Sequence, residues 1–223
     1  DQLSTYVKKS GKDHTGLGRW SWYLIEGATN HFTLIVTAYA PCGDGNIKTT
    51  KSNLSTVAQQ HQRYIRAHGL KSNPKQMFRE DLITFLIYWR KTGTRIILMM
   101  DANEHTVDGC MCKMLVEGEL DMEEVVASQT TGQTAPNTWF RGKDPIDGIW
   151  ITKDIEVIKA CYLPFDADAG DHRPVVVDLT MGSVLGQHVK RVVHPDARKL
   201  NSKVVKIREA YIDRLETLFD EHQ

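Results

Sequence analysis

The chain has 223 residues, 28 lysines and arginines against 28 aspartates and glutamates, and a hydrophobic fraction of 41%. That length and composition fit one globular domain with a large core, and no apolar run nears the ~18 residues a membrane-spanning helix needs. The balanced charge excludes the overall basic surface common among nucleic-acid binders, so a role of that kind would rest on a local patch.

Residues 1 to 18 are polar and rich in Gly and Lys, and read as a loop. Trp20, Trp22 and Leu24 alternate with Ser21, Tyr23 and Ile25, the two-residue period of a strand. Phe32 to Tyr39 is a second strand, and Gly27 to His31 suits a hairpin between them. A loop over Pro41 to Gly45 ends that strand. Two helices follow. The first runs from about Ser55 to His68, with Val57, His61, Tyr64, Ile65 and His68 on helical spacing. In the second, Asn73 is the N-cap, Pro74 sits at the first helical position and Gln76 completes a capping box. Phe78, Leu82, Phe85, Leu86 and Trp89 form its stripe, and Gly93 stops it.

Arg95 to Met100 contains a continuous apolar run, read as a central strand buried on both faces, with Asp101 at its C-terminal end. Residues 111 to 126 suggest another helix, and Thr130 to Asn137 a polar loop before Thr138-Trp139-Phe140. Strands are expected near 146–152, 155–163 and 174–180, with turns at Lys153-Asp154 and from Asp166 to Gly170. The composition changes near Ser183, so residues 1–183 are taken as the main domain and 184–223 as a helical tail or linker. Val204, Ile207, Tyr211, Leu215 and Leu218 form a helical stripe there. Cys42, Cys110, Cys112 and Cys161 lack the spacing of a usual zinc pair and are read as reduced thiols of an intracellular protein, the nucleus included.

Four patches carry polar, reactive side chains beside these apolar runs: Tyr39-Ala40-Pro41, Asp101-Ala102-Asn103, Ile146-Asp147-Gly148 and Asp171-His172-Arg173-Pro174. Each alone has an ordinary explanation, such as a turn-capping Asp or a half-buried Tyr. Together they form the set that metal-assisted phosphodiester hydrolysis needs: a base, donors to phosphate, a charged histidine and oxygen ligands. Asp101 is the candidate base for the attacking water. Asn103 and Tyr39 are candidate donors to phosphate. His172 would stabilise the developing charge, Asp147 would pair with it, and Asp171 would face a metal ion. Trp139 is read mainly as core and otherwise as a stacking surface for substrate.

These segments, with Ala38-Tyr39-Ala40-Pro41, Met100-Asp101-Ala102-Asn103, Thr138-Trp139, Pro145-Ile146-Asp147 and Gly170-Asp171-His172-Arg173-Pro174 in order, resemble the endonuclease/exonuclease/phosphatase superfamily over residues 19 to 181. The resemblance implies an α/β fold: a four-layer sandwich of two mainly antiparallel sheets packed face to face, with helices outside. It also implies Mg²⁺ or Mn²⁺ and a nucleic-acid partner, most often DNA. The opening Gly16-Leu17-Gly18-Arg19-Trp20, the Met100 to Glu104 segment and the charged tail are closest to retroelement-type endonuclease domains. The alternatives are a phosphatase of phosphoinositides or other small phosphoesters, and a phosphate-binding fragment without turnover. Family members carry Gly where this chain has Met100, and often Arg where it has Pro145. They also begin with an Asn-bearing strand and a strand ending in a metal-binding Glu. The chain begins after that region, so the domain is expected to be N-terminally truncated, and Glu26 is expected to be a hairpin residue.

Overall fold

The computed structural model describes residues 3–42, 56–127, 135–167, 170–186 and 205–220. The chain divides into two units, Asp1–His188 and Val189–Gln223. Within the first unit the strands are β1 (Val7–Lys12), β2 (Trp20–Glu26), β3 (Phe32–Tyr39), β4 (Arg95–Asp101), β5 (Met122–Glu124), β6 (Asp147–Thr152), β7 (Val157–Tyr162) and β8 (Val175–Leu179). The helices are α1 (Thr56–Ala67), α2 (Pro74–Arg90), α3 (Cys110–Val116) and α4 (Met181–Leu185). Six strands form one sheet in the order β1-β2-β3-β4-β6-β5, and β7 pairs with β8 in a second. All pairs are antiparallel except β3 with β4. Parallel neighbours need a crossover connection, and α1 and α2 provide it.

The period of two sorts the side chains of the large sheet. Leu34, Val36 and Ala38 of β3, Ile96, Leu98 and Met100 of β4, and Trp150 of β6 are buried in one cluster with Phe78, Leu82 and Leu86 of α2 and Met111 and Leu115 of α3. Ile97 of β4 and Ile149 and Ile151 of β6 alternate with them and face the other way. They share a second cluster with Val184 and Leu185 of α4, against which Val157, Val175, Val177 and Leu179 of the small sheet pack. The layers are therefore helices, large sheet and small sheet, with α4 beside the small sheet. The helical stripe on α2 and the double-sided burial of β4 match the pattern in the sequence.

Three local expectations need correction. The stretch read as a polar loop holds a 3₁₀ turn (Leu3–Tyr6) and the edge strand β1. Most of β1 is exposed, so it shows no apolar alternation, and its lysines are the usual guard of a free sheet edge. The single helix expected over 111–126 is the seven-residue α3 followed by β5. Gly118 and Asp121, the latter at φ +50°, break the helical path between them. Asn73 caps α2 through Gln76 N–H, but the Gln76 side chain donates forward to Glu80 and closes no capping box.

The expected loop beyond Cys42, residues 130–134 before Trp139, Asp168 and Ala169 of the expected turn, and Val204 of the tail stripe lie outside the described residues. In the second unit, α5 (Val205–Asp220) is a helix carrying Ile207, Tyr211 and Leu215. All four cysteines are free thiols. Among the described residues no helix is long and apolar enough to cross a membrane.

Candidate active site

Strand register brings the first three candidate residues together. Tyr39 ends β3 opposite Asp101, which ends β4, and Asp101 lies opposite Asp147, which begins β6. Cross-strand partners share a face, so all three project from the large sheet toward the side that carries the small sheet. Tyr39 lies 62 positions from Asp101 in sequence and Asp147 lies 46 beyond it (positions 39, 101 and 147); only strand pairing makes them neighbours.

His172 arrives from the loop before β8. A short ladder holds it: Phe140 N–H donates to the Asp171 carbonyl (2.8 Å), Arg173 N–H to the Thr138 carbonyl (2.7 Å), and Trp139 and His172 form a β-bridge. The buried Thr138 hydroxyl accepts from Ile146 N–H (2.8 Å) and Asp147 N–H (3.0 Å), which ties the same segment to the start of β6. The imidazole Nδ1 then donates to Asp147 Oδ2 at 2.8 Å. One ligand atom each from Asp101, Asp147 and His172 lies within 4.8 Å of the others. Thr138 has no signature of this role in the sequence beyond its place before Trp139.

Asn103 follows Asp101 in a left-handed turn at φ +46°. Its N–H donates to Asp101 Oδ1 (2.9 Å) and its side-chain Nδ2 to the Ala40 carbonyl (2.8 Å), which links the ends of β3 and β4. Asp171 is exposed, and its Oδ2 accepts from the Trp139 indole (3.1 Å), which holds its carboxyl below the usual range. Asp171 is outside the close group of three. Trp139 is half-buried. Glu26 ends β2 at the opposite end of the sheet, paired with Lys8 at 2.7 Å.

The electrostatics follow from this packing. Burial raises the pKa of Asp101, the facing Asp147 raises it further, and the Asn103 N–H, His172 and Lys75 pull against them. The result is about 6. Burial alone would make His172 harder to protonate, but the hydrogen bond and charge of Asp147, with Asp101 and Asp171 behind it, reverse that and raise its pKa. Burial also raises Tyr39, against a lowering interaction with Asn103. A carboxyl with a raised pKa and an imidazole whose protonated form is favoured by its carboxylate partner stand side by side, an arrangement fit to take one proton and to face an anionic group.

No protein-family profile and no curated sequence matches the chain. Solved structures do. The catalytic domain of human Nocturnin, solved with a bound sulfate, superposes with a TM-score of 0.51 at 15% identity over 73% of this chain and 53% of that one. An endonuclease/exonuclease/phosphatase protein of Bacteroides vulgatus gives 0.51 at 14% identity, over 78% and 65%. The 3′ phosphatase NExo of Neisseria, bound to a product DNA hairpin, gives 0.53 at 13% identity, over 78% and 71%. The fold is that of the endonuclease/exonuclease/phosphatase superfamily. This chain spans between about half and 71% of the length of those structures.

Proposed function

We propose that the protein hydrolyses phosphodiesters with the help of a divalent cation, and that its substrate is nucleic acid, namely DNA cut internally. The observation that carries this reading is the convergence of Asp101, Asp147 and His172, from three separate segments, beside Tyr39 at one end of the sheet. Asp101, with a pKa lifted to about 6, is ionised at neutral pH yet basic enough to orient and deprotonate a water. His172, with Nδ1–H fixed on Asp147, presents Nε2–H to a phosphate oxygen. Tyr39 and Asn103 border the same spot and are the proposed donors to the phosphate, with Trp139 the proposed contact for the rest of the substrate.

The donor set fits an oxygen-preferring ion. Asp101, Asp147 and His172 each offer a ligand atom within 4.8 Å of the others. Asp101 and Asp147 would hold Mg²⁺ or Mn²⁺, and the exposed Asp171, outside that group of three, is the proposed further ligand. Such an ion, when bound, neutralises phosphate charge and eases departure of the leaving oxygen.

NExo, with its DNA hairpin, is a precedent on the same fold. The retroelement-type placement rests on the sequence resemblance alone. The test is plasmid nicking beside phosphate release from an inositol polyphosphate, each with and without Mg²⁺. Nicking that Asp101→Ala and His172→Ala both abolish is expected. Unchanged nicking in both variants overturns the proposal, and release from the inositol polyphosphate alone moves it to the small-molecule reading.

A further inference from the structure

We infer that Lys75 is a positioning residue of this site, holding the turn that carries Asp101 and Asn103. The inference rests on the phosphodiesterase reading. Lys75 is the second residue of α2. Its stem starts from a fixed point, because the Asn73 side chain caps the helix through Gln76 N–H at 2.9 Å and Pro74 presets the first turn. From there the ammonium donates to the Asn103 carbonyl at 3.1 Å, across 28 residues of sequence.

That carbonyl needs such a donor. The backbone leaves the sheet here: Ala102 N–H still reaches the Ile146 carbonyl (2.8 Å), and the next residue turns to positive φ. Asn tolerates the left-handed region better than other residues with a Cβ, yet the conformation survives only where its surroundings hold it. Three bonds do so: Asn103 N–H to Asp101 Oδ1, Asn103 Nδ2 to the Ala40 carbonyl, and Lys75 to the Asn103 carbonyl. Lys75 alone brings a positive charge, and it alone comes from the helical layer. The neighbouring Arg79 is paired with Glu104, which keeps that acid occupied. Phe78, Ala102 and Met111 line a hollow of about 10 Å³, room for one water, that Lys75 also borders.

The experiment compares Lys75→Met, which keeps the stem and loses the charge, with Lys75→Arg. One readout is amide hydrogen exchange at Asn103 in metal-free protein, with Leu98 at the centre of β4 as the internal control. The other is steady-state hydrolysis of bis(p-nitrophenyl) phosphate with Mn²⁺. In Lys75→Met, exchange at Asn103 is expected to rise at least about tenfold while Leu98 stays unchanged. The value of kcat falls about 10- to 100-fold with KM near the wild-type value, as displacement of a catalytic group predicts. Lys75→Arg restores most of both. Exchange at Asn103 that does not change in Lys75→Met overturns the inference, and so does a rise shared by Leu98, which would mark general loosening. An unaltered kcat overturns it as well. If the wild-type protein shows no turnover, the phosphodiesterase reading fails, and the exchange measurement still decides whether Lys75 holds the turn.

Discussion

Arg19→Met is the most informative single change outside the site. The Arg19 side chain is fully buried and gives two hydrogen bonds to Asp13, at 2.7 and 2.8 Å, and one to Asp81 at 2.6 Å. Its guanidinium lies 4.6 Å from the centre of the Trp20 ring. Asp13 is buried as completely, while Asp81 is one-third exposed. Methionine fills much of the space but leaves Asp13 charged in the interior without its cation. Breaking one partner of a buried pair costs about 3–5 kcal/mol, and the two bonds that Thr15 also gives Asp13 place the expected loss near 3 kcal/mol. The pH dependence is the sharper signature. Burial pushes Asp13 up, but the bonds from Arg19 and Thr15 outweigh it and hold the pKa at about 2. The folded value lies below the unfolded one. Wild-type protein therefore has about 2 kcal/mol from Asp13 above pH ~4, and loses it as pH falls toward about 2. Without Arg19, burial prevails and the folded value rises above the unfolded one. The Asp13 contribution then grows as pH falls from neutral toward ~4. Urea denaturation of both proteins at pH 7 and across pH 3 to 6 measures this, and the difference between the two curves cancels the other carboxyls. A loss below about 1 kcal/mol at pH 7, or parallel curves, refutes the reasoning.

Two further outcomes follow from the same kind of argument. In Asp147→Asn, measured without metal, the His172 midpoint from its ring-proton NMR signal drops by about 1 pH unit or more, because a charge-assisted bond is lost and burial then dominates; an unmoved midpoint refutes it. His61 is buried with Nδ1 donating to the Val57 carbonyl and with no hydrogen-bond partner at Nε2 among the described residues, and burial lowers its pKa below the unfolded value. Its protonation is therefore easier in the unfolded chain, and stability falls as pH drops below about 6.5. His61→Leu should sit within about 1 kcal/mol of wild type at pH 7.5 and flatten the Tm profile between pH 7 and 5; equal slopes contradict it.

The candidate site residues were legible because each sits where an apolar run stops. Asp101 after Arg95–Met100 and Asp147 before Gly148–Thr152 are costly places for a carboxylate unless something uses it. The parts that sharpen the chemistry were not legible. Thr138 binds the backbone of β6 and Lys75 the carbonyl of Asn103, and both act through atoms that any residue offers or through a charge with no local pattern.

By itself the sequence determined what depends on neighbours a few residues apart: the alternation of β2 and β3, the stripe and cap of α2, the doubly buried β4 and the ordered set of polar strand ends. Local period and cap chemistry encode these directly. The tertiary structure alone decided the rest. It made β1 a strand, because pairing with β2 supplies what its exposed lysines do not signal. It cut the helix expected at 111–126 into α3 and β5, because β6 offered an edge to pair with. It buried Arg19 between two acids, and it set Asp101 opposite Asp147 so that each carboxylate raises the need for His172. Register, burial and charge pairing are properties of segments far apart in the chain, and they come into being only when those segments meet.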